Sequence, residues 1–110
     1  MGDEAKDTLD AFRRLVNMSP AELEKWLETE ASQNAGYKEQ GNEESVGHAS
    51  GRRIVGLLKT KQADFSDDDY AQMRKVIGYI RRHRAQRPEG DVKDTPWRHS
   101  LMNWGHDPLA

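Results

Sequence analysis

Apolar residues recur along the chain at intervals of three and four, and strand-like alternation is absent. The first stripe, Leu9, Phe12, Leu15 and Val16, predicts a helix from Asp7 to Val16, with Arg13 and Arg14 off its apolar side. Next comes MSPAELEKWL, in which Ser19 can cap, Pro20 suits the first helical position, and Glu22 can reach back to the Ser19 amide in a capping box. Met18 and Leu23 stand at staple spacing, and Leu23, Trp26 and Leu27 share a face. A third helix from Ser45 to about Thr60 follows from Val46, Ser50, Ile54, Leu57 and Leu58. Its alternative start at Ser50 would put Arg52 and Arg53 at the positive end of the helix dipole. The fourth helix has Ser66 as cap, Asp67, Asp68 and Asp69 in its first turn, and arginines crowding its last turns before Pro88. Tyr70, Met73, Val76, Ile77 and Ile80 make its core face. A short fifth helix is announced by Thr95 and Pro96 and stopped at Gly105, with Trp97, Leu101 and Trp104 on one side.

This pattern defines an all-α fold, a compact bundle of four principal helices plus a short C-terminal helix, in a single domain over residues 1–110. The acidic residues 1–6 are expected to be mobile. Residues 33–44, QNAGYKEQGNEE, lack periodicity and are expected to form a flexible loop. With 35% of residues hydrophobic and 33% charged, the core must be thin and drawn from a few helical faces. A lone two-turn helix is unstable in water, so the C-terminal tryptophans must pack on the rest of the bundle. Gly47, Gly51 and Gly56 each cost about 1 kcal/mol in a helix interior, which predicts close approach by a neighbouring helix.

Charge changes the picture. The net value is −2, but residues 1–50 carry five Lys/Arg against eleven Asp/Glu, and residues 51–110 carry twelve against eight. Such a split marks a polyanion-binding half, or two halves that attract each other. On the fourth helix Arg74, Lys75, Arg81 and Arg82 gather opposite the core face and flank a strip of Ala71, Gly78 and Ala85. Small residues there would let a phosphodiester backbone approach while cations contact it from both sides. Arg52, Arg53, Arg84 and Arg87 are expected to assist, and His48 and Lys59 to extend the field. The bland alternative is a solvated helix end whose arginines satisfy the dipole. Without an asparagine or glutamine on that basic face to read adenine, contact with DNA or RNA phosphates is favoured over base recognition.

Other chemistry finds little support. The chain has no cysteine, which excludes disulfides and thiolate metal sites. His99 and His106 lack partners at ligand spacing, and the aspartates at 67–69 point in different directions around a helix, so neither metal nor cofactor is expected. His106 and Asp107 are expected to make turn hydrogen bonds that hold the chain end against the body. GHASGRR lacks the phosphate-loop lysine spacing, and no serine has a nucleophile-elbow setting, so a non-enzymatic role is expected. No run approaches the roughly 18 apolar residues of a membrane span, and the N-terminus has no apolar signal region. An intracellular protein is expected, in the cytoplasm or with the nucleoid or nucleus.

Taken together, VNMSPAELEKWLETE, ESVGHASGRRIVGLLKTK, DDDYAQMRKVIGYIRRHRAQRP and DTPWRHSLMNWGHDPL resemble a family of small bacterial and fungal proteins classed as a domain of unknown function. The resemblance runs from about Phe12 to Leu109, and members are often labelled DNA-binding. It therefore implies DNA binding without designating residues. The competing expectation is a protein-interaction or homo-oligomeric module, in which the acidic second helix meets the basic fourth helix across an interface.

Overall fold

The structure is a computed structural model that describes residues 2–36, 38 and 44–110. Among these residues the chain forms α1 (Gly2–Leu15), α2 (Pro20–Leu27), α3 (Glu30–Asn34), α4 (Val46–Leu58), α5 (Asp67–Arg84) and α6 (Pro96–Asn103), with one 3-10 turn at Gln62–Asp64. The all-α architecture expected from periodicity is observed, with α1, α2, α4 and α5 as the principal helices and α6 as the short C-terminal one.

Local chemistry sets most boundaries. Ser19 Oγ accepts from the Glu22 amide at 3.1 Å while Glu22 Oε1 accepts from the Ser19 amide at 3.1 Å, closing the capping box at α2. The Ser66 and Asp69 pair does the same at α5, with 3.1 and 3.0 Å contacts. Ser45 caps α4 through the His48 amide, so the alternative start at Ser50 is not used. Thr95 caps α6, and Gly105, at φ +81°, turns the chain out of it.

Two boundaries differ from the sequence pattern. Helix α1 begins at Gly2, five residues before Asp7, so the acidic segment 2–6 continues the helix. Gln33 and Asn34 belong to α3, which shortens the expected loop, and its residues 37 and 39–43 lie outside the described residues. Helix α3 has no apolar stripe to reveal it. It exists because Thr29 Oγ1 accepts the Ser32 amide and donates to Trp26 O at 2.6 Å, and because Ser32 is bonded into the core.

Helix α1 lies along α5, α2 packs on α4, and α6 touches α2, α3, α4 and α5. Phe12, Leu23, Ile54, Met73, Ile80 and Leu101 are the large side chains at the centre of one continuous core. Full burial of each aliphatic member stabilises by about 1.5–3 kcal/mol before conformational entropy is counted. The close approach expected from the α4 glycines is present at Gly51, where an added β-carbon would lie 2.4 Å from Asn103 O. At Gly56 the same atom would meet nothing within 4 Å.

Asn103, fully buried, ties the two ends of the chain together. Its Oδ1 accepts from Trp26 Nε1 at 2.8 Å and Ser32 Oγ at 2.5 Å, and its Nδ2 donates to Ser32 O at 3.1 Å. The turn after α6 adds a second clasp: His106 Nδ1 donates to Leu15 O at 2.6 Å, and Asn17 both donates to Asp107 O and accepts from its amide. The turn bonds expected of His106 and Asp107 are present, with Asp107 Oδ1 accepting from the Leu109 amide at 3.0 Å and Asp107 O from the Ala110 amide at 3.2 Å, and the long-range bonds add to them. Arg98 fixes the Asp107 carboxylate through two bonds of 3.1 and 3.0 Å. Burial acts to raise the Asp107 pKa, but the Arg98 and Leu109 bonds outweigh it and hold the pKa below the usual value.

Candidate nucleic-acid interface

Helix α5, 18 residues and about 27 Å long, is the element that positions the cations. Its Met73, Val76, Ile77 and Ile80 are buried, which fixes its rotation about its own axis. With that rotation set, Arg74, Lys75, Arg81 and Arg82 are exposed, as are Ala71 and Ala85 between them. Gly78 is partly covered by Arg82, whose Nη1 lies 3.1 Å from the position of a β-carbon. Among the described residues none of these four cations forms an ion pair.

The face nevertheless has two unlike edges. Arg74 and Arg81 border a groove of about 420 Å³ whose opposite bank is α1, with Asp7, Asp10 and Arg14. Lys75 and Arg82 border a cavity that opens towards α4 and α6. One edge is thus tempered by acids of the same chain, while the other has no carboxylate beside it among the residues lining that cavity.

Of the assisting arginines, Arg84 is the last residue of α5, whereas Arg52 and Arg53 lie on α4 and make intrachain bonds. Arg52 Nε and Nη2 hold Glu44 at 2.8 and 2.5 Å. That arginine bond, against the opposing effect of burial and with help from His48, lowers the Glu44 pKa to about 2. Arg53 reaches across to Gln72 and the Asp68 carbonyl at 3.4 Å, near the limit of a hydrogen bond. Arg84 is exposed, and Arg87 lies over the Trp97 ring at 5.7 Å, within cation–π range. The expectation that His48 and Lys59 extend the field is corrected by their partners. His48 sits between Glu44 and the Leu27 carbonyl, and Lys59 pairs with Glu24. Lys59 and the His48 Nε2 are spent on α2, which α4 faces, and the His48 Nδ1 on Glu44 just before α4.

Beside this face lies a feature that periodicity did not single out. Tyr79 stacks on Trp104 at 4.2 Å and on His83 at 5.2 Å, and His83 stacks on Trp97 at 6.4 Å. The i, i+4 pair Tyr79–His83 and the i, i+7 pair Trp97–Trp104 were the sequence signals, split between two helices. Burial raises the Tyr79 pKa and lowers that of His83, as expected where the charged form loses water.

Fold and site define a small helical protein with an outward cationic helix over an aromatic column. The family model described as "protein of unknown function (DUF3140)" matches residues 11–102, and the chain belongs to that family. No curated protein and no solved structure matches it. Among the described residues no helix is long and apolar enough to cross a membrane.

Proposed function

We propose that the protein is a non-enzymatic module that binds DNA through the phosphate backbone, using Arg74, Lys75, Arg81 and Arg82. The observation that carries this reading is the state of those four side chains: exposed, on both sides of a small-residue strip, and free of ion pairs among the described residues. Charged groups held in the open without partners are the footprint of polyanion contact. Arg53, Arg84 and Arg87 assist at the margins, and Arg52 contributes only as far as it releases Glu44. The DNA-binding label carried by the sequence resemblance points the same way, as does the intracellular location expected from the sequence. Association of the acidic α2 with the basic α5 of another copy draws less support, because α2 already packs on α4 within the chain and its Glu24 is paired with Lys59.

Four phosphate contacts on a duplex predict that the log of affinity falls with the log of salt concentration with a slope near −3.6, from about 0.9 per phosphate. Fluorescence anisotropy with a labelled duplex measures it, and an RNA duplex of the same sequence decides between the two polymers. Arg81→Glu with Arg82→Glu should weaken binding to unrelated sequences by similar factors. A flat salt response refutes the reading, and a loss confined to one sequence refutes the phosphate mechanism.

A further inference from the structure

The cavity behind Lys75 and Arg82 has features that backbone contact with a polyanion does not use. It measures about 250 Å³ and lies where α4, α5 and α6 meet, with Val46, Gly47, Tyr79, Ser100 and Trp104 among its walls. Among the described residues its lining is mostly apolar, and the two charged side chains on it, Lys75 and Arg82, are both positive.

Of the polar side chains on this space, Asn103 is bonded to Trp26 and Ser32, and Tyr79 is bonded to Ser100. Trp104 is 4% exposed, yet its Nε1 makes no hydrogen bond among the described residues and lies 3.0 Å from where a Gly47 β-carbon would stand. The other two tryptophans are satisfied: Trp26 Nε1 donates to Asn103 Oδ1 at 2.8 Å and Trp97 Nε1 to His83 O at 2.6 Å. That N–H is not sealed in the core, since the buried unpartnered side-chain atoms among the described residues are His83 Nε2 and His106 Nε2, so it is accessible to a molecule that enters the cavity and carries an acceptor. Val46 and Gly47 are the first residues of α4, where backbone amides have no acceptor within the helix. Two turns apart on α5, Lys75 and Arg82 stand over the same space.

We propose that this cavity is a binding site for a small amphipathic anion, with an apolar body packed beside Val46, Tyr79 and Trp104 and a carboxylate or phosphate held by Lys75 and Arg82. The inference is independent of DNA binding, since it concerns a molecule of the cavity's own size. At roughly 30 Å³ per water-sized unit, the space of about 250 Å³ holds about eight heavy atoms. That is the scale of a substituted benzene ring. Ligands so small reach dissociation constants of about 10 μM to 1 mM.

The test is a titration of the ¹⁵N-labelled protein, without nucleic acid, with phenyl phosphate and, separately, with benzoate. Trp104→Phe assigns one of the three indole N–H resonances. A shift of the Trp104 resonance with either probe, with those of Trp26 and Trp97 staying in place, is the expected result, and the tighter probe tells which anion the site prefers. Inorganic phosphate should bind at least about tenfold more weakly, because it cannot use the apolar walls. The Lys75→Gln/Arg82→Gln variant should lose about tenfold for both organic probes, and unchanged Trp26 and Trp97 resonances show that it is folded. The inference is overturned if neither probe moves the Trp104 resonance at about 10 mM, if inorganic phosphate binds as well, or if the double variant binds undiminished. A protein that fails to bind DNA but passes these arms refutes only the function proposed above.

Discussion

Helix α4 contains a controlled experiment in its own sequence: the same Gly→Ala change, on one helix, should have opposite signs at two positions. Alanine in place of glycine stabilises a helix interior by about 1 kcal/mol. At Gly56, exposed and with nothing within 4 Å of the added β-carbon, that gain should be realised nearly in full. At Gly51 the new atom would lie 2.4 Å from Asn103 O and 2.7 Å from Leu27 Cδ2. The leucine methyl can swing aside, but the backbone oxygen is fixed by the helix end and the bonds of the Asn103 side chain. Overpacking costs about 1–3 kcal/mol, and an obstruction by main chain belongs at the upper end, leaving a net loss of about 2 kcal/mol. In urea, with a slope of about 1.5 kcal/mol per molar for a domain of this size, Gly56→Ala should raise the midpoint by about 0.6 M and Gly51→Ala should lower it by about 1.3 M. Unfolding followed by circular dichroism at 222 nm measures both. If Gly51→Ala is as stable as the parent, or Gly56→Ala is less so, the account of α4 against α6 is wrong.

Two further outcomes follow from buried polar groups. Asn103→Ala removes the partner of Trp26 Nε1, Ser32 Oγ and Ser32 O together, of which the serine groups are fully buried; at about 1–3 kcal/mol per stranded group, a loss of about 3–5 kcal/mol is expected by urea unfolding, and a loss below about 1 kcal/mol would refute the network. His106 and His83 have pKa values lowered by burial from 6.5, and the Nε2 of each is buried without a partner among the described residues. The unfolded chain therefore takes up their protons first, so stability is full above pH 6.5 and declines as pH falls below it. Urea midpoints between about pH 8 and 5 should drop on the acid side, and a midpoint that stays level or rises refutes this assignment.

An apolar stripe sufficed to reveal α1, but the helices whose starts were legible were those with both a stripe and a side-chain cap. Ser19, Ser45, Ser66 and Thr95 start α2, α4, α5 and α6 where their spacing predicts, because capping is decided within four residues. Helix α3 escaped because its anchor is Ser32, a polar residue whose burial depends on Asn103, seventy-one positions away. Val92 escaped for a related reason: it is a lone buried side chain in a linker, with no neighbour at helical spacing. At the candidate interface the rotation of α5 was readable from Met73, Val76, Ile77 and Ile80, and so was the outward direction of Arg74, Lys75, Arg81 and Arg82. The acids opposite Arg81 and the wall that Tyr79 shares with Trp104 join separate helices, and Arg52 pairs with Glu44, which lies before the α4 cap and off the helical repeat. One-dimensional periodicity has no access to such contacts.

The bonds of Asn103 and His106 also bear on how the protein comes into being. Residues 97–107 supply partners to α1, α2, α3, α4 and α5, so a nascent chain lacking them can pair α1 with α5 and α2 with α4 but lacks the segment that packs across both pairs. Folding must wait until that segment has left the ribosome, and contacts so distant in sequence slow the search once it has. Translation halted near Lys93 should yield a loose, protease-sensitive polypeptide rather than a smaller working version.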